Sequence, residues 1–380
     1  MQLVLSEDQE LLAKTAADFV SEHSPVSRVR ALRDRGDADG FSRPLWKQMA
    51  ELGWVGIPFP EACGGAGMGL AELAVVLEEL GRTLAPEPFL ANALLAGQAL
   101  LRAGSDAQQR AWLPALVAGD KLLALAHQER HSRFDLHRIA TKASREGSGY
   151  RLTGEKIAVL DGGSADAFVV AARTAGADAD RDGISLFLVP AGTRGLAVER
   201  QQRVDSRNAA IVRLADARVG ADALIGTEGA GLPVLEAVVD LATAGVCAEM
   251  LGSMSEAFAR TLTYLKQREQ FGVPIGSFQA LKHRAANLFI QIELCRSAVM
   301  AAARALDSGD DDAAGLVSLA KARCSDAAIQ VANEAVQMHG GIGMTDEHEI
   351  GFYLKRARAA CQTFGDAAFH RDRWARLSGY

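Results

Sequence analysis

The chain has 380 residues, a length that predicts two or three domains. Its residues are 49% hydrophobic and 23% charged, which indicates a globular protein with a large core. The net charge of −6, without a long Lys/Arg run, argues against nucleic acid as a partner. The apolar stretches are too short for insertion into a membrane.

The cysteines and the N-terminal residues indicate the cellular compartment in which the protein is expected. The five cysteines are scattered and show no CxxC spacing, and the first residues have neither a basic region nor a long apolar region. We therefore expect a reduced, cytoplasmic protein without a signal peptide, a disulfide framework or a zinc site. His127 and His131 lie four residues apart, but a metal site needs three or four convergent ligands, so we predict none.

The first segment, to about residue 120, has helical periodicity. Ser6 followed by Gln9 is typical of a capping box, and apolar residues then repeat at helical spacing. Pro44 opens a second helix. A further helix is predicted over Ala71–Leu80, ending at Gly81.

The middle segment, to about residue 225, has the pattern of a β-domain. Short β-branched runs are separated by Gly, Asp and Pro. The predicted strands are Ile157–Leu160, Ala167–Ala171, Ile184–Val189 and Ala210–Leu214.

The last segment returns to long helical repeats, which suggest a four-helix bundle. The predicted helices are Val234–Gln267, Phe278–Leu306, Ala313–Met338 and Asp346–Ala360. The fold class is thus α+β, with an N-terminal helical domain over residues 1–119, a middle antiparallel β-barrel or sandwich domain over residues 120–226, and a C-terminal four-helix bundle domain over residues 227–380.

Two motifs in the last segment carry chemistry. Tyr264–Gln279 reads YLKQREQFGVPIGSFQ, where a guanidinium suits a pyrophosphate, an aromatic ring suits a planar base and an amide suits the edge of that base. Gln337–Gly343 reads QMHGGIG, where adjacent glycines let a ligand approach the backbone. The start of the helix predicted near Asp346 would add a positive dipole.

These motifs resemble the flavin-binding signature of the acyl-CoA dehydrogenases. Leu52–Pro58 (LGWVGIP) and Gly154–Asp166 (GEKIAVLDGGSAD) are similar to the same family, so the resemblance spans the chain. It implies that FAD is the cofactor and that the cofactor-binding residues are Arg268, Gln270, Phe271, Ile275, Phe278, Gln279, Gln337, Met338, Gly340 and Gly341.

The resemblance also implies the reaction. In this family a Glu carboxylate removes the α-proton of an acyl-CoA thioester while the β-hydrogen leaves as hydride to the flavin. It further implies a homotetramer or a related assembly, and an electron acceptor such as electron-transfer flavoprotein.

The positions of the family's base hold other residues. In the C-terminal loop, Phe364 stands where the Glu of a Tyr-Glu-Gly sequence is usual. On the first long bundle helix, counting back from Arg268 leads to Ala242. Asp366 and Glu249 lie nearby as candidates for a displaced base, although a capping or surface role explains each of them too.

The loop that faces the flavin ring in the family also departs from the pattern. A TEPxxGSD sequence is usual there, and Gln128–Asp135 reads QERHSRFD, which keeps only the Glu and the Asp. Phe134 replaces a small hydroxyl residue, Ala158 replaces a Trp that flanks the flavin, and Leu160 replaces a Thr.

This asymmetry favours one subunit of a hetero-oligomer over other functions. Within the family, the Arg268 and Gln337 segments reach the ADP part of a neighbouring subunit's FAD, and both segments are intact. We expect the chain to offer them to a homologous acyl-CoA dehydrogenase subunit. The alternatives are a self-sufficient homotetramer with a displaced acid, an acyl-CoA-binding scaffold without redox turnover, and an oxidase or flavin monooxygenase on the same fold.

Overall fold

The order of secondary structure agrees with the predicted order of helices, strands and helices. The computed structural model describes residues 4–380. The α-helices are α1 (Glu7–His23), α2 (Val26–Arg35), α3 (Arg43–Glu51), α4 (Leu70–Arg82), α5 (Gly97–Ala103), α6 (Asp106–Val117), α7 (Leu232–Gln267), α8 (Gln279–Ser308), α9 (Ala313–His339), α10 (Ile350–Gln362) and α11 (Ala367–Leu377). A π-helical segment, Phe89–Ala96, precedes α5.

The strands lie between α6 and α7, apart from one small hairpin. They are β1 (Leu123–Ala126), β2 (Lys142–Glu146), β3 (Gly149–Leu160), β4 (Ala167–Arg173), β5 (Ile184–Pro190), β6 (Leu196–Gln201), β7 (Ala209–Val219) and β8 (Leu224–Ile225), followed after α7 by β9 (Glu269–Gln270) and β10 (Val273–Pro274). The α+β fold class is therefore confirmed.

The chain forms two compact units that draw on separate stretches of sequence. One contains residues 69–85 and 243–380 together with the described residues up to 31, and the other contains residues 32–68 and 86–242. The domain limits after residues 119 and 226 stay a prediction. Among residues 4–380, no helix has both the length and the apolar character that a membrane span requires.

Helix ends follow local chemistry. The Ser6 hydroxyl accepts from the Gln9 amide at 3.2 Å, and the Gln9 side chain accepts from the Ser6 amide at 3.1 Å, so the predicted capping box is confirmed. The expected stop of α4 at Gly81 is wrong by one residue, since the helix continues to Arg82. Gly81 is instead a packing position, because a Cβ there would lie 2.2 Å from the Glu249 carbonyl of α7.

One eight-stranded sheet forms the core of the second unit. Its strand order is β6-β7-β3-β2-β4-β5-β8, with β1 pairing in parallel with β4. Most pairs are antiparallel, as predicted. Strand β4 is buried along its whole length, and Phe168, Val170 and Phe187 lie in a shared apolar core.

The C-terminal helices pack around α9, which contacts α8, α10 and α11. The four predicted helices are confirmed, and α11 is an addition to them. The last predicted helix begins at Ile350 instead of Asp346, because Gly340–Met344 forms a 3-10 turn and the Thr345 hydroxyl donates to the Ile342 carbonyl at 2.8 Å. The helix dipole expected at Asp346 therefore starts one turn later.

Candidate functional site

The first flavin-like motif forms a β-hairpin between α7 and α8. Strand β9 pairs with β10, and the two turn residues, Phe271 and Gly272, both have positive φ angles of 57° and 78°. Such a turn matches the twist of a tight hairpin. It projects the Phe271 ring outward, 92% exposed, with an edge-to-face contact to Phe278 at 6.1 Å between centroids. The hairpin therefore presents an uncovered aromatic pair.

The polar residues of this motif surround the hairpin. Arg268 and Gln279 are exposed, and the Gln270 side-chain amide donates to the Glu269 carbonyl at 2.8 Å. The Ile275 amide donates to the Arg268 carbonyl at 2.8 Å, which closes the base of the hairpin. The guanidinium, the amides and the rings thus lie on or next to one short hairpin.

The second motif lies at the end of α9. Gln337 is exposed, whereas Met338 is buried in the helix packing. Around Gly340 and Gly341 an added Cβ would meet nothing within 4 Å, and Gly340 has a φ of 65°. The backbone here is open to a ligand, as the sequence predicts for a close approach.

An aromatic column links the two motifs. The Tyr264 ring stacks on His339 at 4.6 Å between centroids, and His339 lies at the same distance from His348. The His339 Nδ1 donates to the Ala335 carbonyl at 2.7 Å, and burial lowers the pKa of this imidazole. Sequence reasoning missed this column, although His339 lies within the QMHGGIG motif.

Two buried side chains, His370 and Lys321, hold the loop at position 364 through hydrogen bonds to its backbone. Phe364 has a φ of 61°, an uncommon angle for a residue with a side chain. His370 Nε2 donates to the Phe364 carbonyl at 3.1 Å, and Lys321 Nζ donates to the carbonyls of Gly365 at 2.6 Å and Cys361 at 3.1 Å. The backbone of residues 361–365 is therefore anchored in one conformation.

Burial shifts the pKa of both anchors. Burial and, to a smaller extent, the nearby Lys321 charge lower the pKa of His370 to about 3, so the imidazole is neutral near pH 7. Burial also lowers the pKa of Lys321. The sequence does not reveal the role of either residue, because their partners are backbone carbonyls, which belong to no residue motif.

The two candidates for a displaced base have different surroundings. Asp366 is the N-cap of α11, and its carboxylate accepts from the Phe369 amide at 2.9 Å. Glu249 is buried in α7, about 10 Å along the helix axis from Ala242. Its backbone lies directly against Gly81 of α4. The capping role of Asp366 is therefore visible, and a catalytic role for either residue stays a prediction.

The segment that aligns with the family's ring-side loop contains a buried ion pair. The Lys156 ammonium is 2.6 Å from the Glu129 carboxylate, which also accepts from the amides of Ala140 at 2.8 Å and Thr141 at 3.0 Å. Burial lowers the pKa of Lys156 to about 8 although Glu129 opposes it. Burial also lowers the pKa of the neighbouring His127 to about 4. The pair holds the loop against β3.

The backbone beside this pair is irregular. The register of β3 with β7 shifts between Lys156 and Val159, and Ala158 in the bulge has a φ of 51°. The Ala158 amide donates to the Gln201 side-chain oxygen at 3.2 Å. Arg133, where the family has Gly, has a φ of 47°. The backbone of the ring-side segment is thus irregular, and its side chains differ from the family pattern.

Three family models match successive parts of the chain. They are the acyl-CoA dehydrogenase N-terminal domain over residues 6–120, the middle domain over residues 124–215 and the C-terminal domain over residues 229–378. The chain is also 33% identical to the mitochondrial isovaleryl-CoA dehydrogenase of Pongo abelii, over 93% of this chain and 84% of that relative. The chain therefore belongs to the acyl-CoA dehydrogenase family of FAD-dependent oxidoreductases.

Solved structures agree with this assignment. A chain of the ChsE4-ChsE5 complex from Mycobacterium tuberculosis is 31% identical, with a TM-score of 0.90 and full coverage of both chains. Butyryl-CoA dehydrogenase from Megasphaera elsdenii is 27% identical, with a TM-score of 0.91 and full coverage of both chains. The family recognised from the motifs is thus confirmed.

Proposed function

We propose that this chain is one subunit of a hetero-oligomeric acyl-CoA dehydrogenase. It contributes the adenine side of a FAD site, and a homologous partner contributes the ring side and the catalytic base. The reaction is the α,β-desaturation of an acyl-CoA thioester. FAD, when bound, accepts the hydride, and an acceptor such as electron-transfer flavoprotein takes the electrons onward.

One observation carries this proposal: neither family position for the base has a proton acceptor. Phe364 and Ala242 cannot take up the α-proton of a thioester. Asp366 already uses its carboxylate as a helix cap, and moving it would leave the α11 amides uncapped. A partner with an intact Glu removes the need for a displaced base in this chain.

The hairpin residues fit the adenine and pyrophosphate end of FAD. Among residues 4–380, Arg268 has no ion pair, so its guanidinium is available for a phosphate. The exposed Phe271 and Phe278 rings suit an adenine or ribose face. Gly340 and Gly341 leave open backbone for a close approach. These residues would bind and orient the cofactor, and no step of proton transfer is assigned to them.

The ring-side segment does not fit the isoalloxazine in the way usual for the family. Ala158 has no ring to stack on the flavin, and Leu160 and Phe134 have no hydroxyl to donate to it. The hairpin keeps the family's residues, whereas the ring-side segment does not. This contrast supports a FAD site in which this chain binds the adenine end and a partner subunit binds the ring. A chain in a complex with two named components, ChsE4 and ChsE5, is among the similar structures, which supports an assembly with a second component.

The test begins with the chain purified alone. We expect a nearly colourless protein that does not bleach with a panel of acyl-CoAs under anaerobic conditions. Co-expression with a homologous subunit that carries the Glu should give a yellow complex that bleaches. A lone chain with about one FAD per polypeptide and substrate bleaching would overturn the proposal.

Two variants separate the displaced-base alternative from ours. Asp366→Asn keeps the N-cap, because Asn and Asp cap equally well, but removes the carboxylate. Glu249→Gln keeps the size of the buried side chain. We expect both variants to leave turnover of the complex unchanged within about twofold, since 0.4 kcal/mol is a factor of about two. A loss of several hundredfold in either variant would place the base in this chain.

A further inference from the structure

A pocket of about 500 Å³ lies where the end of α2 meets the segment that joins β6 to β7. All of its walls belong to the second unit. Its volume is within the range of about 300–1,000 Å³ that is typical of pockets for small molecules. Of the described residues that line it, none belongs to the hairpin, to the QMHGGIG motif or to the loop at position 364. The proposed function therefore assigns no role to this pocket.

Arginines dominate the lining of this pocket. Arg33 belongs to the last turn of α2, Arg200 lies at the end of β6, and Arg203 follows three residues later. No Asp or Glu is present in the lining, as far as residues 4–380 are concerned. A concave surface that carries charges of one sign concentrates counter-ions of the other sign. The pocket is therefore suited to an anion.

The arginines after α2 are held in place but keep free donors. Arg200 Nη1 donates to the Asp37 carbonyl, and Arg200 has no ion pair within the described part of the chain. Arg203 Nε lies 3.4 Å from the buried carboxylate of Asp205, and its Nη groups donate to no described residue. Arg33 pairs with Asp34, whose side chain is 54% exposed, and such exposed pairs contribute little. Arg200 and Arg203 therefore have N–H groups left for a ligand.

A strained turn adds a hydroxyl to this lining. The Ser206 amide donates to the Arg203 carbonyl at 3.0 Å, and Ser206 has a φ of 62°. A side-chain-bearing residue in this region is strained, and such residues cluster at ligand sites. The Ser206 hydroxyl forms no hydrogen bond with any residue from 4 to 380. The turn thus places a free hydroxyl and a free guanidinium in the wall of one pocket.

We propose that this pocket binds the diphosphate group of a nucleotide-sized organic anion, with its oxygens on Arg200, Arg203 and Ser206. Guanidinium groups bind phosphate oxygens in pairs, and a hydroxyl donates to a further oxygen. Leu32 and Val204 are the apolar side chains of the lining, and they supply a surface for the organic part. A single phosphate is far smaller than the pocket, so both parts of the ligand contribute to binding.

The test measures binding of ADP, pyrophosphate, inorganic phosphate and adenosine to the full chain by calorimetry. ADP should bind at least about tenfold more tightly than inorganic phosphate, because its second phosphate adds hydrogen bonds between charged groups. Pyrophosphate should lie between the two, and adenosine should not bind. Added salt should weaken the binding of ADP, since the interaction is between opposite charges.

Variants assign the site. Arg200→Gln removes one hydrogen bond to a carbonyl and no ion pair, so the protein should fold and bind ADP at least about tenfold more weakly. Val204→Glu, at a side chain that is 60% exposed, places a carboxylate in the pocket and should abolish binding. The matched controls are Arg110→Gln in α6 and Leu52→Glu, both at exposed positions outside the pocket. Both controls should bind ADP like the wild type.

A further variant separates this pocket from the FAD site, because the diphosphate of FAD is assigned to the hairpin. Arg268→Gln should keep the binding of ADP to the pocket. Loss of ADP binding in Arg268→Gln, with full binding in Arg200→Gln, would overturn the inference and leave the proposed function in place. Equal affinities for ADP and adenosine would overturn it too, and so would a wild-type chain that does not bind ADP at millimolar concentration.

Discussion

The buried ion pair between Glu129 and Lys156 leads to a quantitative prediction. Its atoms are 2.6 Å apart, the Lys156 side chain is fully buried and the Glu129 side chain is 7% exposed. Lys156→Met leaves a buried carboxylate with only the amides of Ala140 and Thr141 as donors. Loss of one partner from such a pair lowers the free energy of unfolding by about 3–5 kcal/mol.

Urea unfolding followed by tryptophan fluorescence measures this effect, since Trp46, Trp54 and Trp112 lie in the same unit as the pair. The control is Lys142→Met at an exposed position of β2, which should change the free energy of unfolding by less than about 0.5 kcal/mol. In addition, Glu129→Gln combined with Lys156→Met should cost less than the sum of the single changes.

A Lys156→Met variant within about 1 kcal/mol of the wild type would refute this reasoning. Strict additivity in the double variant would refute it too, because independent side chains do not share an interaction energy. Either result would mean that the loop at Gln128–Asp135 is held against β3 by something other than the pair.

Other predictions concern packing, acid sensitivity and the hairpin. Gly252→Ala places a Cβ 1.7 Å from the Glu78 carbonyl and should cost about 1–3 kcal/mol or more in thermal unfolding, whereas Gly351→Ala, with nothing within 4 Å, should be neutral or gain up to about 1 kcal/mol. His370 has a folded pKa of about 3 against an ordinary 6.5, so the unfolded state binds the extra proton as the pH falls. The free energy of unfolding therefore drops by about 2 kcal/mol between pH 7 and pH 5, and His370→Asn should remove this part of the pH dependence in urea titrations. Phe271→Ser should leave stability within about 0.5 kcal/mol, because the ring is 92% exposed, yet lower the FAD content of the complex.

Much of the fold could be predicted because apolar periodicity determines helices and strands. The long repeats of α7, α8 and α9 leave little ambiguity, and the strong β-branched runs gave β4 and β5. Three of the strands that went unpredicted lack that signal. Strand β2 reads KASRE, β6 reads LAVERQ, and β1 reads LALA, which suits a helix equally well.

The candidate site could be predicted only in part. Hairpin residues are close in sequence, so their motif reveals them together. Lys321 and Lys156 are fully buried, and lysine is almost never buried without a partner, so their positions looked like surface positions. Their partners are a carboxylate 27 residues away and carbonyls 40 and 44 residues away, which no local pattern encodes.

The central claim is that this chain serves a FAD whose ring lies in a homologous partner. The most direct measurement is the ratio of FAD to polypeptide in the co-expressed complex, with and without Arg268→Ala in this chain alone. We predict one FAD for each pair of subunits, and a loss of most of that FAD in the variant. Two FAD molecules per pair, or a FAD content that does not respond to Arg268→Ala, would contradict the account.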